Sequence, residues 1–350
     1  MKVLFIGGTG TISMAITKRL LNQGEQVILL NRGSRNAELE AMKEQKNIHL
    51  VQIMVDVNDE EAVREKLQGL SFDVVADFIA YGPKQLERDF RLFDGRTKQF
   101  IYISSASVYQ KPPADFRMNE GTTAANPYWQ YSRDKIAGEE YLLKMYRENG
   151  FPITIVRPSH TFDDRSVPVA VHGKNGSWQV LKRMKEGKKV IIQGDGTSLW
   201  TITHSSDFAV GFTGLLLNPH AVGQTIQIMS EESMTWNQIY QVIADALHVE
   251  LQCVHISSDF LVEASKGIYD FEGSLLGDKS QSVSFDISRL KRLVPEFCPE
   301  TSARRLRNTV ENVCAHPEYQ KEDPEFDAFC DRVIAAREQA LEEVRKGKNL

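Results

Sequence analysis

Tyr131 and Lys135 stand four positions apart in Tyr131-Ser132-Arg133-Asp134-Lys135. On a helix that spacing puts both side chains on one face. A neighbouring ammonium lowers the pKa of a phenol, and the phenolate can then take a proton from an alcohol. Upstream, Tyr102-Ile103-Ser104-Ser105-Ala106-Ser107-Val108-Tyr109 ends an apolar run in serines. Ligands of open α/β sheets bind at the carboxyl ends of strands, where Ser105 can hydrogen-bond a reacting oxygen. Near the N-terminus, Gly7-Gly8-Thr9-Gly10-Thr11-Ile12-Ser13 follows a short apolar strand and precedes a helical pattern. Gly7 permits a tight turn. Gly10 lets the backbone approach a pyrophosphate, which the amides and dipole of the helix N-terminus favour. Each motif alone is weak. In this chain order they point to oxidation and reduction with a bound dinucleotide. Ser13 replaces a third glycine, which is expected to loosen helix–strand packing slightly.

The elements that must hold these residues are legible as a rhythm. Val3–Ile6, Gln26–Leu30, Ile48–Gln52, Val74–Asp77, Gln99–Ser104 and Ile153–Val156 read as strands buried on both faces. Helix-length segments separate them; the first carries Ile12, Ala15, Ile16 and Leu20 at helical spacing and stops at Gly24. This alternation predicts a parallel sheet with helices on both faces. After Arg157-Pro158 the rhythm breaks. A polar loop is expected over Ser159–Ser177, a helix over Trp178–Glu186, a strand over Lys189–Gln193 and a turn at Gly194-Asp195-Gly196. Trp236, Ile239, Tyr240, Ile243 and Leu247 form one apolar helical face. The expected fold is therefore α/β. A doubly wound, Rossmann-type parallel sheet occupies 1–165. A smaller α/β substrate lobe occupies 166–320, with segments returning to the sheet, and a charged helical tail occupies 321–350.

Composition narrows the classes. The 350 residues carry 42 basic and 47 acidic side chains, a net charge of −5, with 41% apolar and 25% charged residues. This is ordinary globular usage and excludes disorder and low complexity. The acidic balance argues against a protein built mainly to hold nucleic acid. Cys253, Cys298, Cys314 and Cys330 form no Cys-x-x-Cys pair and read as inert thiols of a reducing compartment. No apolar run reaches the ~18 residues that span a membrane. The N-terminus reads as a strand rather than a signal peptide, so a cytoplasmic location is expected. No histidine pair has metal-ligand spacing beside a carboxylate cluster, and no metal is expected.

The second strand ends Leu30-Asn31-Arg32-Gly33-Ser34-Arg35. NAD-selective sites usually place a carboxylate here for the ribose 2′-hydroxyl. Asn31 removes the repulsion of a 2′-phosphate, and Arg32 or Arg35 can bind one. NAD(P) is expected, with a preference for NADP. Asp56, after the third strand, can accept from the adenine amino group or cap a helix.

Together these segments resemble an extended short-chain dehydrogenase/reductase of the NAD-dependent epimerase/dehydratase family. The resemblance covers about residues 1–315. It rests on the glycine turn, the serine-rich strand end, Tyr131/Lys135, Val156-Arg157-Pro158, Gly194-Asp195-Gly196 followed by His204 and Asp207, and Phe285-Asp286. It implies Tyr131 as general acid or base, Lys135 as its helper and ribose ligand, and Ser105 as substrate-orienting. It also implies cofactor contacts from Gly7, Thr9, Gly10, Thr11, Ile12, Asp77, Phe78, Ile79, Ala80, Ser104, Pro158 and Ser159. Substrate contacts are expected from Tyr81, Ser105, Ser107, His160, Trp200 and His204. A carbohydrate substrate and a homodimer paired partly through a helix near Pro127–Glu148 are implied as well.

The chain departs from the family pattern in three places. Dehydratases carry an Asp-Glu pair after the catalytic Ser/Thr; here the residues are Ala106 and Ser107, which disfavours dehydration. A diphosphate-binding arginine after Gly194-Asp195-Gly196 is replaced by Trp200, whose indole cannot act as a guanidinium fork. A second arginine is missing from Gly273–Lys279, which offers only Lys279. A free sugar, sugar acid or glycoside is therefore as open as a sugar nucleotide, and epimerase and dehydrogenase/reductase chemistry use the same residues. An alternative is a non-catalytic, NADP-binding protein of the chloroplast stem-loop RNA-binding type. It would use the basic cluster Arg289, Lys291, Arg292, Arg304, Arg305 and Arg307.

Overall fold

A computed structural model describes residues 1–33 and 49–347. Seven strands form the central sheet: β1 Lys2–Ile6, β2 Gln26–Asn31, β3 Leu50–Met54, β4 Phe72–Asp77, β5 Thr97–Ile103, β6 Ile153–Pro158 and β7 Thr225–Ile228. Their spatial order is β7-β6-β5-β4-β1-β2-β3, and every neighbouring pair is parallel. Successive strands run outward from β1 in one direction and from β4 in the other. The crevice between their carboxyl ends is the place where such sheets take ligands.

The strand readings hold to within a few residues. Val3, Leu4, Phe5, Val74, Val75 and Ile153 are wholly buried, as parallel strands covered on both faces require. The end strand β3 differs: Val51 is 42% and Met54 65% exposed, and among the described residues β3 has a sheet neighbour on one side only. Ile48 and Arg35 lie outside the described residues.

β7 was not legible. Its polar Gln227 interrupts the apolar pattern, yet Gln227 is wholly buried and satisfied. Its carbonyl accepts from the Tyr109 hydroxyl at 2.8 Å, and its amide donates to the Asp286 carbonyl at 3.0 Å. The expected loop Ser159–Ser177 also contains a short strand, His160–Phe162, paired in parallel with Ile202–His204.

The remaining elements follow local signals. Helix Trp236–Ala246 opens on a reciprocal cap between Thr235 and Gln238 and buries Trp236, Ile239, Tyr240 and Ile243. The tail helix Pro324–Lys346 is capped by Asp323, buries Phe326, Phe329, Cys330, Val333 and Ile334, and pairs Asp327 and Asp331 with Arg183. Its distal Val344 is exposed. Of the cysteines, Cys330 is buried and its thiol is pushed up to about 12 by burial, whereas Cys298 is exposed.

Two apolar clusters sandwich the sheet. One face holds Phe72, Phe93, Phe100 and Phe151. On the other, Phe5, Phe208 and Phe212 continue without a break into Trp200, Trp236 and Phe326 of the later elements. Among the described residues no helix is long and apolar enough to cross a membrane.

Candidate active site

The glycine turn sits at the carboxyl end of β1. Gly7 and Gly8 have φ of +103° and +85°. A Cβ on Gly7 would meet Ile79 Cγ2 at 3.0 Å, and one on Gly8 would meet Leu29 Cδ2 at 2.5 Å. Neither position tolerates a side chain. Gly10 precedes helix Thr11–Asn22, whose first turn carries no acidic residue, so its amides are open to an anion. Ser13 does not merely loosen packing: its buried Oγ accepts from the Gly10 N–H at 2.9 Å and ties the turn to the helix.

A cleft of about 380 Å³ runs from this turn past Asn31, Arg32, Asp56, Ile79 and Tyr81. Thr9 also lines it, whereas Thr11 faces elsewhere and Ile12 packs on the core. Asn31 Oδ1 accepts from Gly33 N–H and from Gln52, leaving the buried Asn31 amide nitrogen without a partner. Asp56 Oδ1 accepts from the backbone and side chain of Asn58. The turn, the amide-rich helix end and the unpartnered Asn31 amide fit a dinucleotide.

The floor of this cleft is a paired charge network. Asp77 is wholly buried and does not face the cleft. One of its oxygens accepts from the N–H groups of Ile79 and Ala80 at 2.6 and 2.7 Å, and the other pairs with Arg88 at 3.2 Å. It shapes the 78–80 turn that presents Ile79. Phe78 likewise turns inward, its ring 5.1 Å from that of Phe5. Burial and the neighbouring Asp77 push the Asp89 carboxyl well up, against the pull of Arg88.

Tyr131 and Lys135 share one face of helix Gln130–Asn149, as their spacing requires. Lys135 Nζ donates to the carbonyls of Ala80 and Ile103 at 2.7 and 2.8 Å, and lies 5.6 Å from the Tyr131 ring centroid. Burial lowers Lys135 to about 8, opposed by Asp77 and Glu139. Burial raises Tyr131 to about 12, while a hydrogen bond from Ser105 pulls it down. Ser105 Oγ is 2.9 Å from Ser107 Oγ, which accepts from Ser132 at 2.8 Å.

Ser104 points away from the cleft. Its hydroxyl donates to Glu139, which also holds the buried Arg157 guanidinium. Burial opposes the Arg157 charge, but Glu139 raises its pKa above the ordinary arginine value. Ser104 and Arg157 each stand in a sequence motif, but Glu139, which joins them, stands in neither.

Tyr131 lines a second cavity of about 370 Å³, which shares the lining residue Tyr81 with the first. Ser105, Ser107, His160 and Trp200, read as substrate contacts, line it, as do Pro158 and Ser159, read as cofactor contacts; Lys111, Trp129, Asp278 and Lys279 join them. Trp200 is nearly buried and stacked on Trp236, with an unpartnered indole nitrogen. Burial pushes His160 down to about 3, and its Nδ1 has no partner. Lys111 and Asp278 were missed. Lys111 closely follows the serine-rich segment, but no periodicity marks it.

His204 does not reach this cavity. Its Nδ1 accepts from the Ser206 N–H at the start of helix Ser205–Gly214, and its Nε2 is 3.1 Å from Asp164. It lines a different cavity of about 550 Å³, which shares no lining residue with the Tyr131 cavity. The cause is local: as a helix cap, its ring must turn toward its own chain. Among the described residues no group of three potential metal ligands occurs.

Residues 3–228 match the model of the NAD dependent epimerase/dehydratase family. The chain belongs to that family. A 2′-dehydrokanamycin reductase of Streptomyces kanamyceticus is 21% identical over 298 residues, 85% of this chain and 80% of that protein. The chloroplast stem-loop binding protein of 41 kDa b of Arabidopsis thaliana is 25% identical over 252 residues, 70% of this chain and 63% of the relative. A UDP-glucuronic acid 4-epimerase from Bacillus cereus, solved with UDP-glucuronic acid and NAD, superposes with a TM-score of 0.69 at 18% identity. It covers 90% of this chain and 99% of its own. At that identity the epimerase family member shares the fold.

Proposed function

We propose that this family member is an NAD(P)-dependent oxidoreductase or epimerase acting at a secondary alcohol or ketone of a carbohydrate. One observation carries the reading: Tyr131 and Ser105 together line a cavity that shares Tyr81 with the glycine-turn cleft. A bound nicotinamide supplies the hydride acceptor or donor. Tyr131 exchanges the hydroxyl proton, and Ser105 fixes both the phenol and the substrate oxygen. Lys135, anchored to Ala80 and Ile103, stiffens the turn between the two cavities and offers its third N–H to the ribose. Ala106 and Ser107 supply no acid and base for elimination, which supports hydride transfer without dehydration.

Asn31 and Arg32 support a preference for NADP, because β2 ends in an amide followed by a guanidinium, where NAD-selective sites usually carry a carboxylate. The nucleotide released by denaturing the purified protein, identified by mass, tests this; stoichiometric NAD would refute it. Pairing through helices Pro83–Phe93 and Gln130–Asn149, which pack together on one face, is the proposed dimer mode.

The RNA-binding alternative has less support. Of its basic cluster, Arg289 donates to the Thr225 carbonyl, while Lys291, Arg304 and Arg305 pair with Glu231, Glu300 and Asp207. The decisive variant is Tyr131→Phe. Turnover should fall by about 10²–10⁴ with cofactor affinity within a few-fold of wild type. Full activity in that variant would sink the proposal.

A further inference from the structure

The Tyr131 cavity contains two ammonium groups and one carboxylate that the chemistry above does not use: Lys111, Lys279 and Asp278. Lys111 and Lys279 are 4% and 8% exposed. Neither the Lys111 ammonium nor the Asp278 carboxylate has a hydrogen bond or salt bridge to a described residue, and each feels the other only at a distance. Lys279 Nζ reaches only the Ser274 carbonyl, at 3.5 Å, longer than a well-formed N–H···O bond. Burial works against all three charges. Buried charges are ordinarily paired, and those of Arg157 and Glu139 in this same protein are. Beside them, His160 Nδ1 and the Trp200 indole nitrogen are also without partners.

The charge sum has a sign. His160 is neutral, so the two lysines exceed Asp278 by one positive charge. Among the described residues no arginine lines this cavity, so none of them offers a planar fork for a diphosphate. A volume of about 370 Å³ is at the low end for ligand pockets. We infer that the Tyr131 cavity takes a compact polyol bearing one carboxylate, held by Lys111 and Lys279, with a neighbouring hydroxyl donating to Asp278. This rests on the carbohydrate reading for the substrate's fate, but binding can be measured without turnover.

The test is calorimetric titration of the full chain, saturated with NAD and separately with NADP. The probes are D-glucuronate and D-galacturonate against D-glucose, D-galactose, D-glucose 6-phosphate and UDP-glucose. At least one uronate should bind tenfold or more tighter than its neutral counterpart. Lys111→Met should remove that preference and leave neutral-sugar binding within about twofold. Asp278→Asn should tighten uronate binding severalfold, because it removes the opposing charge while keeping an acceptor. Equal or better binding of neutral sugars overturns the inference. So does tighter binding of the sugar phosphate or UDP-glucose, an unchanged preference in Lys111→Met, or no binding by any probe. If a uronate binds but never changes the redox state of the cofactor, the oxidoreductase reading falls and the subsite stands. Cofactor reduction by neutral hexoses alone does the reverse.

Discussion

Two sets of buried polar groups near the site are treated in opposite ways. Asp77 pairs with Arg88 and holds the 78–80 turn, and Glu139 pairs with Arg157. In the Tyr131 cavity, Lys111, Asp278, His160 and Trp200 are buried or half-buried with polar atoms that have no protein partner. Burial opposes charge in both, at Arg157 as at Lys111 and Asp278. A saturated network spends its polarity on holding backbone in place. An unsaturated one keeps its hydrogen-bonding capacity for something that arrives later. On the proposal made above, the contrast separates scaffold from recognition surface without appeal to motif.

Breaking the saturated side should have the larger effect. Glu139→Gln strands the buried Arg157 guanidinium and should destabilise the fold by about 3 kcal/mol, read as a lower denaturant midpoint. A loss under about 1 kcal/mol would show that the network is not structural. The His160 effect is intermediate and depends on pH. Its pKa falls from 6.5 to about 3 on folding, so its contribution is complete above pH 6.5 and is lost as pH drops toward 3. Stability should decline by about 2 kcal/mol between pH 6.5 and 4.5 on its account, and His160→Asn should flatten that part of the profile. Lys111→Met should move stability least, and upward, by at most about 1 kcal/mol, because it deletes an unpaired buried charge. A marked loss of Tm would mean that Lys111 is paired in the working protein and would erase the contrast.

Much of the architecture was legible because strand burial and strand composition are the same fact. The runs at 3–6, 74–77 and 153–156 are apolar because both their faces are covered. β7 escaped notice for the complementary reason: Gln227 is tolerated in the sheet through partners 59 and 118 residues away. The Tyr131–Lys135 face and the glycine turn were visible because each is a local spacing. Lys111 and Asp278 are brought together by tertiary packing across 167 positions of sequence, and no window contains both. His204 was misplaced because its motif fixes a backbone turn, not the direction of a ring. Asp77 and Ser104 turn their side chains to Arg88 and Glu139, since proximity to the cleft in sequence does not say which way a side chain points.

The seventh strand has a consequence for how the protein is made. β6, all of whose residues are buried, lies between β5 and β7. A nascent chain that has emerged only to residue 165 therefore presents β6 as an open, sticky margin. It stays so until about 60 further residues leave the ribosome and Thr225–Ile228 docks. The dinucleotide half is thus not a detachable cassette. A gene fragment ending near residue 165 should yield aggregates, whereas one ending beyond β7 and the helix Ser288–Leu293 packed against it has a finished edge.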